Sequence, residues 1–71
     1  MLDVKALRNK MYAEEYSVAR LAQAIKLSRS AIYRRLNGKV VFTVSEVLNV
    51  ANCLSLSTQE RDDIFFANEV S

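Results

Sequence analysis

Residues 17–39 read SVARLAQAIKLSRSAIYRRLNGK, and two short helical patterns meet within this stretch at residues 26–28. From Arg20 to Lys39 there are six basic residues and no acidic one. The rest of the chain has four basic and eight acidic residues, a balance of −4, although the whole chain carries +2. Because a local concentration of positive charge attracts polyanions, this segment favours a nucleic acid as partner.

The length and composition indicate one small globular domain. The 71 residues are 51% hydrophobic and 25% charged, which is typical of a folded chain. We therefore predict a single domain over residues 1–71, with a two-helix core at residues 17–38. A chain of this size buries only about 60% of its unfolded surface, so its core is small.

Several functional classes find no support in the composition. The chain has one cysteine and no histidine, which excludes an internal disulfide and leaves no ligands for a Cys/His zinc site. No apolar run approaches the ~20 residues of a membrane span, and the charged N-terminus is unlike a signal peptide. Without a phosphate loop or a nucleophile–base pair, we predict no enzyme activity, cofactor, metal or small-molecule ligand. Cys53 is expected to be a small core-filling residue.

Apolar spacing and capping residues predict an all-α fold of five helices. The first is predicted from about Leu2 to Glu15, with Asp3 as its N-cap. The second begins after Ser17 and the third after Ser28, since serine is a favoured capping residue.

The later boundaries are also readable from local chemistry. Gly38, the only glycine, is predicted to end the third helix in a left-handed conformation. Thr43–Glu46 and Ser57–Glu60 match the capping-box pattern and predict the starts of the fourth and fifth helices. In the apolar connection between the third and fourth helices, residues 39–42, we expect Phe42 to enter the core, because a lone strand would have no partner.

The apolar positions also predict which side chains face the core. Tyr12 and Tyr16 are expected to cover its edge. The predicted inward residues are Val18, Leu21, Ala22 and Ile25 in the second helix, Ala31, Ile32 and Leu36 in the third, and Val44, Val47, Leu48, Ala51 and Leu54 in the fourth.

The fifth helix ends on adjacent aromatic residues. Since neighbouring helical residues point about 100° apart, Ile64 and only one of Phe65 and Phe66 are expected to pack inward. The other would be exposed and would mark a dimer or partner interface at residues 64–66. The alternative is a curved apolar seam that accommodates both rings.

The third helix has a polar face suited to base recognition. On a wheel of about 100° per residue, Ser30, Arg34 and Asn37 lie opposite the apolar side, with Tyr33 beside them and Arg29 in the first turn. Arginine, serine and asparagine can bond base edges in a major groove. Tyr33 has a second interpretation as a half-buried helical residue.

Phosphate contacts are predicted around this helix. They would use side-chain charges and amides, together with exposed backbone N–H groups near Gly38. Arg35 is more typical of a surface ion pair than of a residue that reads bases. The predicted set is Ser17, Lys26, Arg35, Asn37, Gly38 and Lys39.

The motifs Leu21-Ala22, Leu27-Ser28-Arg29-Ser30 and Asn37-Gly38-Lys39 resemble the Cro and phage-repressor helix-turn-helix family. Together with Phe42-Thr43, Glu46 and Ile64-Phe65-Phe66, they are similar to small prophage regulators of Gram-positive bacteria. The resemblance covers residues 4 to 66. It implies a compact five-helix fold like that of lambda repressor, operator binding, frequent dimerisation and a cytoplasmic location in a bacterial host. The family's base-reading positions fall on Arg29, Ser30 and Arg34.

The sequence departs from that family at three places. Val18 stands where a phosphate-bracing glutamine is usual, and Lys26 stands where the turn usually has glycine. Arg35 occupies a position that is often apolar, and the apolar residue follows at Leu36.

Two functions are compatible with these residues. The first is a phage-type transcriptional regulator that binds double-stranded operator DNA, as a homodimer across two half-sites, and represses a promoter. The second is a modulator or antirepressor that binds a partner phage repressor, alone or jointly on DNA, and it is motivated by Val18 and the Phe65-Phe66 pair.

Overall fold

The computed structural model describes residues 1–67, which form five α-helices without a strand. The helices are α1 (Val4–Ala13), α2 (Val18–Ala24), α3 (Arg29–Leu36), α4 (Val44–Cys53) and α5 (Thr58–Phe65). The all-α prediction and the order of the helices are confirmed, although α1 is shorter at both ends than predicted. Within residues 1–67, no helix has the length and apolar character needed to cross a bilayer.

Every helix begins directly after the residue that the sequence predicted as its cap. The oxygen of each cap side chain accepts a hydrogen bond from a backbone N–H in the first turn, at 3.0 to 3.1 Å. This bond satisfies a backbone donor that has no partner inside the helix. The caps are Asp3, Ser17, Ser28, Thr43 and Ser57.

Both predicted capping boxes are present. The Thr43 N–H donates to Glu46 at 3.0 Å, and the Ser57 N–H donates to Glu60 at 2.9 Å. The cap side chain accepts the backbone N–H of the glutamate, and the glutamate side chain accepts the backbone N–H of the cap residue. Because both bonds lie within four consecutive residues, these two helix starts are fixed by local sequence.

The first four helices end in one repeated motif. Each is followed by a residue with positive φ: Glu15 (60°), Lys26 (62°), Gly38 (80°) and Ser55 (54°). After α2, for example, the Leu27 N–H donates to the Ala22 carbonyl at 2.8 Å, the long backbone bond of a Schellman motif. Only Gly38 has the residue type that adopts this conformation without steric cost.

One core joins the five helices. Leu7, Leu21, Ile32 and Val50 are fully buried, and they come from four different helices. Phe42 is also buried, as predicted, and its ring meets Phe65 edge to face at 5.4 Å between ring centroids. The connection before α4 therefore supplies a core residue instead of a strand.

Two predicted core positions, Val44 and Leu48, are wrong, and one core residue was not predicted. Val44 is 74% exposed and Leu48 is 50% exposed, whereas Val50, which was not predicted, is fully buried. The apolar residues of α4 span an arc of about 160° on the helix, wider than the buried side, so their spacing alone does not fix which edge faces inward. Tyr12 is 88% exposed, although Tyr16 packs against the core as predicted.

The helix contacts leave α3 at one side of the molecule. α3 packs mainly on α2, α2 also contacts α4, and α4 contacts α5. α5 contacts α1, and the Asp3 N–H donates to the Ile64 carbonyl at 2.7 Å. Because α3 is covered mainly on the side facing α2, its outward face is open to a ligand.

Candidate nucleic-acid interface

α2 and α3 are joined by the four residues 25–28, which include the predicted meeting point of the two helical patterns at residues 26–28. α2 is capped at Ile25, Lys26 takes the left-handed conformation, and Ser28 caps α3. Leu27 packs against the core and holds the turn to the protein. The two helices therefore have a fixed mutual geometry, with a lysine in a backbone conformation that favours glycine.

The two faces of α3 follow the prediction. Ala31, Ile32 and Leu36 are buried, and Ser30 and Arg34 are exposed on the opposite side. The remaining residues predicted to contact bases, Arg29 and Tyr33, are exposed too, the tyrosine by 45%. The structure therefore brings all four onto one open helix surface.

Four cations of this region have no bonding partner among residues 1–67. Their side chains are exposed, and no hydrogen bond or ion pair to the described chain holds them. No acidic residue occurs between Glu15 and Glu46 to neutralise them locally. The result is a positive surface available to a polyanion. These cations are Lys26, Arg29, Arg34 and Lys39.

Two further cations already have partners within the protein. The guanidinium of Arg20 donates to the Glu15 carbonyl at 3.0 Å and lies 4.2 Å from the centroid of the Tyr16 ring. Arg35 has a side chain only 12% exposed and pairs with Glu46. We therefore withdraw Arg35 from the predicted phosphate contacts, because its donors already have partners, and retain its alternative assignment as an ion pair.

The backbone at the end of α3 also differs from expectation. The Gly38 N–H donates to the Arg35 carbonyl at 3.2 Å, and the Lys39 N–H donates to the Arg34 carbonyl at 2.9 Å. The predicted exposed N–H groups are thus used by the helix end itself. Gly38 reverses the chain and does not present a free donor, while the side chains of Asn37 and Lys39 stay exposed.

At the start of α2, the Ser17 side chain accepts from the Arg20 N–H at 3.0 Å. A hydroxyl that accepts a bond through its oxygen still has its own hydrogen to donate. Ser17 is exposed and so stays in the predicted phosphate set. Val18, where the resembled family has glutamine, is partly buried and packs against the core.

The Arg35–Glu46 pair fixes α3 relative to α4. Arg35 Nε donates to Glu46 Oε1 at 2.9 Å, Arg35 Nη2 donates to Oε2 at 3.1 Å, and Nη1 donates to the Ala31 carbonyl at 2.9 Å. The hydrogen bond from Arg35, aided by the backbone N–H of Thr43, lowers the pKa of Glu46 below its ordinary value of 4.5 against the opposing effect of burial. Because two hydrogen bonds join the two side chains, the pair fixes the orientation of α3 relative to α4 in addition to its electrostatic attraction.

The predicted interface at residues 64–66 is reduced to one residue. Ile64 and Phe65 are both 6% exposed, so neither is available to a partner, whereas Phe66 is 39% exposed. Phe66 lines a groove of about 630 Å³ together with Val40 and Val41. The prediction that one phenylalanine packs inward and the other stays exposed is therefore confirmed.

Sequence reasoning missed a second exposed apolar surface, on α4. The sequence predicts that Val44 and Leu48 face the core, whereas both are exposed. The signal that could have identified them is the presence of Val50 on the same helix, because α4 has more apolar residues than its buried side accommodates. Cys53 is a partly buried free thiol that packs against the core, as predicted.

The fold and this surface define a small five-helix domain with an exposed basic helix. The chain belongs to the BetR domain family, whose model matches residues 4–64. This is a family of small helical domains usually associated with DNA binding. No curated protein matches the chain. The narrower resemblance to Cro and the phage repressors stays a prediction.

Proposed function

We propose that this protein is a sequence-specific DNA-binding transcriptional regulator. The observation that carries the proposal is the outward face of α3, where Arg29, Ser30, Tyr33 and Arg34 are exposed together. These side chains have no hydrogen-bond or ion-pair partner within residues 1–67, so they are available to a ligand. Membership in a domain family usually associated with DNA binding supports the same conclusion.

Recognition would proceed by insertion of α3 into the major groove. Arg34 can bond the O6 and N7 atoms of guanine with two donors, Ser30 can donate or accept, and Tyr33 can contact a thymine methyl group. Arg29 lies in the first turn, near the groove edge. α2, behind α3, would hold this helix at a fixed angle to the duplex.

Phosphate contacts would set the register and most of the affinity. Lys26 precedes α3 and Lys39 follows it, so the two exposed ammonium groups flank the recognition helix in the chain. Ser17 and Asn37 add a hydroxyl and an amide. Such contacts act on any sequence, and their strength falls as salt rises.

The narrower proposal is a Cro-like repressor in a phage genetic switch. It would occupy an operator as a homodimer, in the cytoplasm of a bacterial host, without enzymatic activity or a cofactor. Occupying a promoter requires only affinity and specificity, which the α3 surface can supply.

A second function is favoured by the groove beside Phe66. A half-exposed aromatic ring next to Val40 and Val41 suits the apolar side chains of a protein partner. In this alternative the protein is a modulator or antirepressor that binds a neighbouring phage repressor, alone or jointly on DNA.

One experiment separates the two functions. The purified protein is mixed with the intergenic promoter DNA next to its own gene, with and without the neighbouring repressor, and gel mobility is followed. A shift by the protein alone, abolished by excess promoter DNA but not by unrelated duplex, supports the regulator. A change that requires the repressor supports the modulator, and no change in either mixture contradicts both.

A further inference from the structure

Arg34 and Arg35 are adjacent on α3 but point in different directions. The side chain of Arg34 is exposed, whereas that of Arg35 is only 12% exposed and is bonded to Glu46 on α4. Neighbouring helical residues are separated by about 100° around the axis. The rotation of α3 that allows Arg35 to reach Glu46 therefore also fixes the direction of Arg34.

The C-terminal half of α3 has few other restraints. Among the helices of residues 1–67, only α2 packs extensively on α3. Leu36 adds a buried apolar contact with the core. Apolar attraction has no preferred direction, whereas a hydrogen bond weakens steeply when its angle changes. The bonds between Arg35 and Glu46 are therefore better suited than these contacts to fix the rotation of the helix.

The pair links the backbone of α3 to the backbone at the start of α4. At one end, Arg35 Nη1 donates to the Ala31 carbonyl of its own helix at 2.9 Å, and the guanidinium carbon lies 5.9 Å from the centroid of the Phe42 ring. At the other end, Glu46 Oε1 accepts the Thr43 N–H at 3.0 Å. The result is a continuous hydrogen-bonded connection from the Ala31 carbonyl to the Thr43 N–H.

We propose that Arg35 and Glu46 are positioning residues that set the angle at which α3 presents Arg34 to the bases. The inference rests on the proposed function, because it assigns the pair a role in base reading. Bonds to base edges need a fixed geometry, whereas attraction to phosphates acts on any sequence. Loss of the pair therefore lowers the preference for the specific site and leaves binding to unrelated DNA intact.

Glu46→Gln tests this by removing the charge while keeping a side-chain oxygen for the Thr43 N–H. The protein gains one unit of positive charge, so electrostatics alone would strengthen binding to every duplex. We expect the affinity for unrelated duplex to be maintained. The ratio of promoter to unrelated affinity should fall at least about tenfold, which is within the discrimination of one bidentate base contact. Fluorescence anisotropy at fixed salt measures both affinities, at a temperature at which circular dichroism shows every variant to be folded.

The matched control is Glu60→Gln. Glu60 also completes a capping box, with Ser57, and pairs with Lys10, but it lies on α5. The control variant gains the same charge and should keep the wild-type affinity ratio. An equal loss of the ratio in Glu60→Gln, or an unchanged ratio in Glu46→Gln, would overturn the inference.

A double variant separates positioning from stability. Arg35→Met combined with Glu46→Gln restores the wild-type net charge and leaves no unpaired buried charge, so it should be more stable than Glu46→Gln alone. Its affinity ratio should stay low, because the link between α3 and α4 is still absent. Recovery of the ratio together with stability would show that the pair acts only through stability, and the inference would fail.

Backbone N–H residual dipolar couplings, measured without DNA, distinguish failure of the inference from failure of the proposed function. Glu46→Gln is expected to turn α3 relative to α4 by more than about 10°, the tolerance of a positioned site, whereas Glu60→Gln should not turn it. An unchanged α3 in Glu46→Gln would overturn the inference whatever the duplex measurements give. A wild type that binds both duplexes alike would contradict the proposed function, and the couplings alone would then decide whether the pair positions α3.

Discussion

Arg35 on α3 and Glu46 on α4 are joined by two hydrogen bonds, of 2.9 and 3.1 Å, between side chains that are only 12% and 16% exposed. The same carboxylate accepts the Thr43 N–H at 3.0 Å and completes the capping box of α4. One glutamate therefore stabilises the start of α4 and fixes the end of α3. A shift of this pair would tilt the surface that we propose for DNA.

Glu46→Gln is expected to destabilise the protein by about 2 kcal/mol. The amide keeps an acceptor for Thr43 but leaves the largely buried Arg35 guanidinium without a negative partner. Urea unfolding followed by circular dichroism measures the change. The control is Asp62→Asn, which removes the more exposed Arg61–Asp62 pair and should cost less than about 0.5 kcal/mol. Equal losses in the two variants would contradict the role given to Arg35–Glu46.

The stability difference between wild type and Glu46→Gln should depend on pH. Because Arg35 holds the pKa of Glu46 below 4.5 in the folded protein, the unfolded chain takes up its proton first as the pH falls. The pair's contribution is thus complete above pH 4.5 and disappears as the pH drops through the lower, folded pKa. Urea unfolding of both proteins from neutral pH to about pH 3 checks this. A difference that stays constant across this range would refute the ion-pair explanation.

Lys26→Gly is expected to stabilise the protein by about 0.5 to 1 kcal/mol. The left-handed backbone costs a non-glycine residue about 1–2 kcal/mol, and the greater freedom of glycine in the unfolded chain cancels part of the gain. The thermal midpoint measures it. The converse variant, Gly38→Ala, should lose about 1 kcal/mol through backbone strain alone, because its new methyl group would meet no atom within 4 Å. A less stable Lys26→Gly protein would show that the lysine side chain contributes to the fold.

Lys39→Ala is expected to weaken binding to all duplexes alike and to reduce the slope of log affinity against log salt by about 1. Its exposed ammonium group follows α3, where a phosphate contact would release one counterion. Titrations of labelled duplex at several salt concentrations measure the slope. Lys5→Ala, on the exposed surface of α1, should leave the slope unchanged. If the two variants gave the same slope, Lys39 would have no specific place in the interface.

Helix boundaries could be predicted from the sequence because they depend on local chemistry. The hydroxyl of Ser28 and the capping boxes at Thr43 and Ser57 act on backbone groups only three residues away, so no tertiary information was needed. The outward face of α3 was predictable for a related reason. Its apolar residues are few, and only one side of the helix could face the core.

The features that could not be predicted from the sequence depend on tertiary contacts. The side chains of α4 that face inward were not decided by spacing, since Val44, Leu48 and Val50 all fit an apolar stripe and only packing against α2 and α5 selects among them. The burial of Arg35 required knowing that Glu46, eleven residues away, lies beside it. The glycine predicts a left-handed residue at the end of α3, whereas the use of its N–H depends on the backbone bond to the Arg35 carbonyl.

The central claim is that the outward face of α3 reads DNA. A fluorescence anisotropy titration of promoter duplex at fixed salt tests it, with Arg34→Ala compared against Arg8→Ala, an exposed arginine on α1. We predict that Arg34→Ala loses about 1–3 kcal/mol of operator affinity and discriminates less between operator and altered sequence, while Arg8→Ala binds like the wild type. An Arg34→Ala protein with unchanged affinity and unchanged preference would contradict the claim.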